Sequence, residues 1–169
     1  MGSEVRVARL ETSLGPMLVA ATDRGIAAVS RSDSPEAFLA ALMRRFPARD
    51  LLPADLDPGW LGDAFAGGPL PAIDVTGLSD FDTRVYEVVR SVPVGETISY
   101  GEVAALIGAP GAARAVGGAM SRCPLFPAVP CHRVVRASDG WSGWGGDVAL
   151  KRRLLRLERR SARLRRRLR

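Results

Sequence analysis

The chain has 169 residues, of which 47% are hydrophobic and 25% charged, and a formal net charge of +6. That length holds one ordinary domain or two small ones, and the composition is typical of a soluble globular protein. No apolar run reaches the roughly 18 residues of a membrane span, and residues 1–10 lack the apolar core of a signal peptide. No membrane partner is therefore expected, and the expected compartment is the cytoplasm. The charge is uneven: residues 151–169 carry eleven basic residues against one acid, Glu158, while the remainder is net acidic. Such a segment points either to a polyanionic partner or to a solvated cationic helix. The two cysteines, Cys123 and Cys131, and one histidine are too few for a conventional four-ligand zinc site, and no metal is expected.

In chain order, Val5, Val7 and the run Met17 to Ala21 read as strands around the turn Leu14-Gly15-Pro16. Ile26 to Val29 adds a third strand to the meander. Pro35 to Phe46 reads as a helix capped by Ser34, with Phe38, Leu39, Leu42 and Phe46 on one face. Residues 47–77 are rich in proline and glycine and read as the boundary or linker, although Trp60, Leu61 and Phe65 require packing somewhere. Phe81 to Val92 is a helix capped by Asp80 or Ser79. Ser99 caps a helix over Tyr100 to Ile107, with Glu102 placed as in a capping box. After the break at Gly108-Ala109-Pro110-Gly111, a second helix runs from Ala112 to Met120. The pair reads as a helix-turn-helix or as an ordinary helical hairpin. The second helix is rich in small residues (Ala113, Gly117, Gly118) that allow close approach to a surface and leave Arg114 prominent. The last helix shows leucines at 150, 154, 157, 164 and 168, an apolar stripe on a cationic rod.

Chemistry concentrates at Pro130-Cys131-His132-Arg133-Val134-Val135. A thiolate is the reactive form of cysteine, and a nearby imidazole eases its formation. Neighbours on an extended chain point to opposite sides, so Cys131 and His132 can cooperate only through a turn or a bridging water. A buried thiol beside a hydrogen-bonded histidine is the alternative reading.

These residues resemble the active-site segment of the O6-alkylguanine-DNA alkyltransferases. The stretch Val94 to Ala104 is similar to that family's entry into its helix-turn-helix, and Ala113 to Met120 to its recognition helix. Gly143-Trp144-Gly145-Gly146 with Lys151 and Leu154-Leu155 resembles the pocket loop and final helix. The blocks occur in the family's order across 79–158, and Arg9 to Ser30 resembles its N-terminal strands more loosely. The resemblance implies an α/β (α+β) fold. A small strand-rich, ribonuclease H-like domain (1–77) precedes a helix-turn-helix alkyltransferase domain (78–169) with a basic final helix.

The resemblance also implies roles. Cys131 would be the nucleophile, His132 would polarise a water that takes the thiol proton, and Glu158 would orient His132. Arg114 would fill the base stack while the lesion is flipped out, because a thiol cannot reach an O6-alkyl carbon inside a stacked duplex. Tyr100 would contact the lesion base. Ala113, Gly117 and Gly118 would face DNA. Val134, Trp144 and Gly145, with Tyr100, would line the guanine pocket. The reaction needs no cofactor, and its thioether product implies one turnover per molecule. The expected partner is double-stranded DNA carrying O6-alkylguanine, bound by a monomer. Two departures stand out: Cys123 where the family usually has Asn, and Trp144 where many members carry Tyr. Competing readings are a lesion-binding protein without transfer and a cysteine hydrolase.

Overall fold

The computed structural model describes residues 4–32, 34–140 and 147–169. The expected meander is β1 (Glu4–Thr12), β2 (Gly15–Thr22) and β3 (Gly25–Ser30), paired antiparallel in sequence. Helix α1 (Pro35–Arg45) follows. Ser34 accepts the Ala37 amide at 3.3 Å, so the expected cap is in place.

The segment 47–77 differs from the expected linker. It contains β4 (Asp50–Pro53) and α2 (Gly59–Ala66), and β4 pairs parallel to β1, giving the sheet order β3-β2-β1-β4. Proline is tolerated in β4 because the strand lies at the sheet edge. Side chains alternate across the sheet as the period of two requires. Val5 and Ala20 pack with Phe38 and Leu42 of α1 and with Phe46, which caps it. Ala8, Leu10, Met17 and Val19 face the other way.

That second face does not end at residue 77. The same apolar cluster takes in Leu61, then Val85, Tyr86 and Val89 of α3 (Asp80–Arg90), and continues into Val103, Val116 and Val134. A backbone bond from Val29 N to Pro124 O, 2.7 Å, also ties the first sheet to the segment leading to Cys131.

Helices α4 (Tyr100–Leu106) and α5 (Ala113–Arg122) occupy the expected places to within two residues at their ends. The capping box is complete: Glu102 N donates to Ser99 Oγ at 3.1 Å, and Ser99 N donates to Glu102 Oε2 at 2.7 Å. Two short strands missed by sequence reading, β5 (Ile98–Ser99) and β6 (Val134–Val135), pair in parallel. They join the entry of α4 directly to the residues after Cys131.

Helix α6 (Val148–Arg167) closes the structure, and its buried face corrects the expected leucine stripe. Lys151, Leu154, Leu155 and Glu158 are buried, whereas Leu157, Leu164 and Leu168 are 44%, 58% and 78% exposed. The spacing i, i+3, i+4, i+7 is still that of one helix face. Two of its four members are charged because they have partners inside, and this rotates the buried face away from Leu157, Leu164 and Leu168.

Candidate active site

Residues Cys131–Arg133 form a single 3-10 turn, with all three side chains buried. This changes the geometry expected for an extended chain. At three residues per turn, successive side chains leave the backbone about 120° apart. Cys131, His132 and Arg133 therefore enter three different parts of the interior.

His132 points to Glu158. Its Nε2 lies 2.6 Å from Glu158 Oε1, and neither side chain has measurable exposure. The imidazole is also packed against the rings of Phe65 (centroids 5.8 Å apart) and Phe126 (5.7 Å). Glu158 receives a second partner: Arg133 donates from Nε to Oε2 at 2.9 Å and from Nη2 to Oε1 at 2.8 Å. That is the bidentate geometry for which guanidinium is suited. The remaining Arg133 bonds run to Val92 O at 2.8 Å and Ala64 O at 2.9 Å.

The protonation states follow from these contacts. Burial acts to raise the Glu158 pKa, but hydrogen bonds from His132 and Arg133 outweigh it and hold the carboxyl below its usual range. Burial lowers the His132 pKa, and the Glu158 bond offsets only part of that. Arg133 already engages both carboxylate oxygens. A carboxylate can only accept, so Nε2 carries the proton and donates to Glu158. Nδ1 is then the lone-pair nitrogen. It is buried and has no hydrogen-bond partner among the described residues.

Cys131 is 2% exposed. The neighbouring Cys123 thiol and burial push its pKa well above the ordinary range, while its own backbone and the charge of Lys151 act in the opposite direction. Lys151 is wholly buried and donates to Val134 O. Burial lowers its pKa to about 8 despite the nearby Cys131. The thiol is thus protonated at neutral pH, and a neutral imidazole with a free lone pair belongs to the same buried turn.

The other expected residues divide between near and remote. Val134 follows the turn in β6. Tyr100 opens α4, half-buried, and a Cβ built on Gly117 of α5 would meet its ring carbon Cε1 at 3.9 Å. Arg114 is exposed at the start of α5, with Ala113 and Gly118 partly covered. No hydrogen bond or ion pair among the described residues links Arg114 to the Cys131 network. Trp144 and Gly145 lie outside the described residues. Arg133 and Lys151 stood in the motifs, but sequence reading gave them no role. The available signal was a basic residue two after Cys131, and a lysine spaced with Leu154, Leu155 and Glu158 on one helix face.

A family profile described as "6-O-methylguanine DNA methyltransferase, DNA binding domain" matches residues 80–160. Among solved structures, the chain superposes on Mycobacterium tuberculosis OGT in complex with DNA with a TM-score of 0.72. Sequence identity is 35%, over 93% of this chain and 94% of that one. The chain belongs to the O6-methylguanine-DNA methyltransferase family. Its curated relatives include the bifunctional transcriptional activator/DNA repair enzyme Ada of Escherichia coli, 38% identical over 91% of this chain and 45% of Ada. Another is the methylated-DNA–protein-cysteine methyltransferase of Mycolicibacterium paratuberculosis, 52% identical over 52% of this chain and 53% of that protein. The chain spans about half the length of these curated relatives. The methyltransferase family match runs from α3 into α6, ending at residue 160, and contains the whole Cys131–His132–Glu158 network.

Proposed function

We propose that this chain repairs O6-alkylguanine in double-stranded DNA by moving the alkyl group irreversibly onto Cys131. The observation that carries the reading is the buried relay in which Glu158 takes the Nε2 proton of His132 as a hydrogen bond and leaves Nδ1 as a lone pair. Family membership and the helix pair α4–α5 support the choice of DNA as substrate. No helix among the described residues is long and apolar enough to cross a membrane.

In this mechanism the lesion leaves the stack and enters the pocket while Arg114 fills its place, which offsets part of the unstacking cost of a few kcal/mol. The Cys131 proton passes through a water to His132 Nδ1, and Glu158 stabilises the imidazolium that forms. Sulfur attacks the alkyl carbon, an S–C bond forms, and the C–O6 bond breaks with its electrons on the guanine. Tyr100 donates to the departing base, while Val134 and the segment with Trp144 and Gly145 line its pocket. Ala113, Gly117 and Gly118 allow α5 to lie close to the duplex. The product thioether is a very poor leaving group, so the protein acts once. It acts as a cytoplasmic monomer, with residues 1–77 as scaffold and 78–169 as the chemical domain.

Loss of O6-methylguanine from a duplex should stop at one lesion per protein molecule, and Cys131→Ser should bind the duplex without repairing it. Repeated turnover contradicts the reading. Arg114→Ala should slow repair in duplex far more than reaction with free O6-benzylguanine, since only the duplex requires flipping. Equal losses on both substrates would remove Arg114 from that role.

A further inference from the structure

Arg133 also faces away from Glu158, into a cleft of about 650 Å³. The cleft lies between residues 64–70, the end of α3 with the segment after it, and the last turns of α6. Its charged lining is Arg90, Arg133, Arg165, Arg166 and Arg169, with no carboxylate side chain. Three of these are fixed by backbone carbonyls. Arg90 donates to Ala128 O at 2.7 Å and Pro71 O at 2.8 Å, Arg133 to Val92 O and Ala64 O, and Arg165 to Gly67 O at 3.2 Å. A carbonyl orients a guanidinium without neutralising it, so Arg90 and Arg165 keep their full charge, whereas Arg133 is paired with Glu158. Arg166 and Arg169 make no hydrogen bond or ion pair among the described residues.

The positive charge does not stop at the cleft. Arg156, Arg159, Arg160 and Arg163 line the same 20-residue helix, a rod of about 30 Å. A compact anion would fill the cleft and leave the rod unused. A chain of phosphates uses both, because duplex DNA carries a negative charge about every 1.7 Å of its axis. The cleft is not the alkyl-transfer site: Arg165 lies roughly 20 Å along the helix from Lys151, which neighbours Cys131. Gly95 shows how closely the segment before α4 meets this end of α6. Its φ is +88°, and a Cβ there would lie 2.7 Å from Ala162 Cβ.

We propose that the arginine cleft and the last turns of α6 form a second nucleic-acid surface, separate from α4–α5, that grips the phosphate backbone irrespective of base or lesion. The inference rests on the reading of the chain as DNA-acting. Phosphate contacts position a protein without specifying sequence, so this surface would add affinity and register rather than recognition.

The test is binding of an undamaged 20-base-pair duplex, followed by fluorescence anisotropy across a salt series, to the intact chain and to Arg166→Glu/Arg169→Glu. Neither arginine holds the fold. The double variant should bind about tenfold more weakly at low salt, with a log–log salt slope shallower by about 1.8 for two lost contacts. Its reaction with free O6-benzylguanine should be unchanged. A control pair, Arg6→Glu/Arg44→Glu, makes the same change in net charge elsewhere and should keep the wild-type slope. An unaltered slope in the cleft variant would overturn the proposal, and so would an equal loss in the control pair. A cleft variant that keeps duplex binding but loses binding to phosphatidylserine vesicles would assign the surface to lipid instead. Failure of the wild type to react with O6-benzylguanine would sink the repair reading alone, since the probe duplex carries no lesion.

Discussion

At the scale of single residues, the balance turns on one buried carboxylate. Glu158 is charged and inaccessible to water, and removing a partner from such a group leaves an uncompensated charge that costs about 3–5 kcal/mol. Arg133→Met should therefore lower the melting temperature severely, whereas Arg133→Lys, which keeps the charge but not the fork, should fall between. Equal stability of Arg133→Met and wild type, measured by thermal unfolding, would remove Arg133 from the network. The pH dependence has a definite sign. His132 has a folded pKa below its ordinary 6.5, so the unfolded chain takes up that proton first. Stability is then lost as pH falls below 6.5, and the depressed Glu158 carboxyl adds further loss below its ordinary 4.5. His132→Gln should flatten the melting-temperature profile between pH 7 and 5 relative to wild type. Cys131 and His132 stand in one contiguous motif, and the family resemblance pointed to Glu158 as the partner of His132, a contact present in the structure. The role of Arg133 was not legible, because its acceptors Val92 and Ala64 lie 41 and 69 residues away.

At the scale of elements, local chemistry made the helix-turn-helix readable. The Ser99–Glu102 box, the glycines at 108 and 111 with positive φ, and the small residues of α5 all act within a few positions of one another. What local chemistry could not show was the rotation of α6, where partnered Lys151 and Glu158 share the buried face with Leu154 and Leu155 and leave Leu157, Leu164 and Leu168 outside. Nor could it show β5 and β6, two residues each, which exist only because they pair with one another. The expected DNA-facing side of α5 yields a prediction. Ordinary van der Waals space surrounds a Cβ at Gly117, so Gly117→Ala should raise stability by roughly 0.5–1 kcal/mol through helix propensity. The added methyl should at the same time weaken duplex binding, if this surface lies against DNA. Denaturant unfolding and duplex titration read the two effects separately. A variant that gains stability and keeps its affinity would show that α5 approaches DNA by another face.

At the scale of the whole molecule, one apolar cluster runs from Ala8 and Val19 in the sheet through Val85 and Tyr86 to Cys131 itself. The Cys131 thiol is thus built into the wall between the sheet and the helices. The proline- and glycine-rich stretch 47–77 participates rather than merely connecting: it supplies an edge strand, the Ala64 carbonyl that holds Arg133, and the Phe65 ring beside His132. Composition reads such a stretch as a loop because its stability comes from long-range partners. The interior position of Cys131 also isolates the central chemical claim. Cys123 lies next to it, so either thiol could in principle accept the alkyl group, and of the two Cys131 shares its turn with the His132 imidazole. The direct measurement is peptide-resolved mass spectrometry after incubation with a duplex containing O6-methylguanine. The expected result is an increase of about 14 Da, the mass of one CH₂, confined to the peptide bearing Cys131, and none in Cys131→Ser; the same increase on Cys123, or no adduct while the lesion disappears, would contradict it.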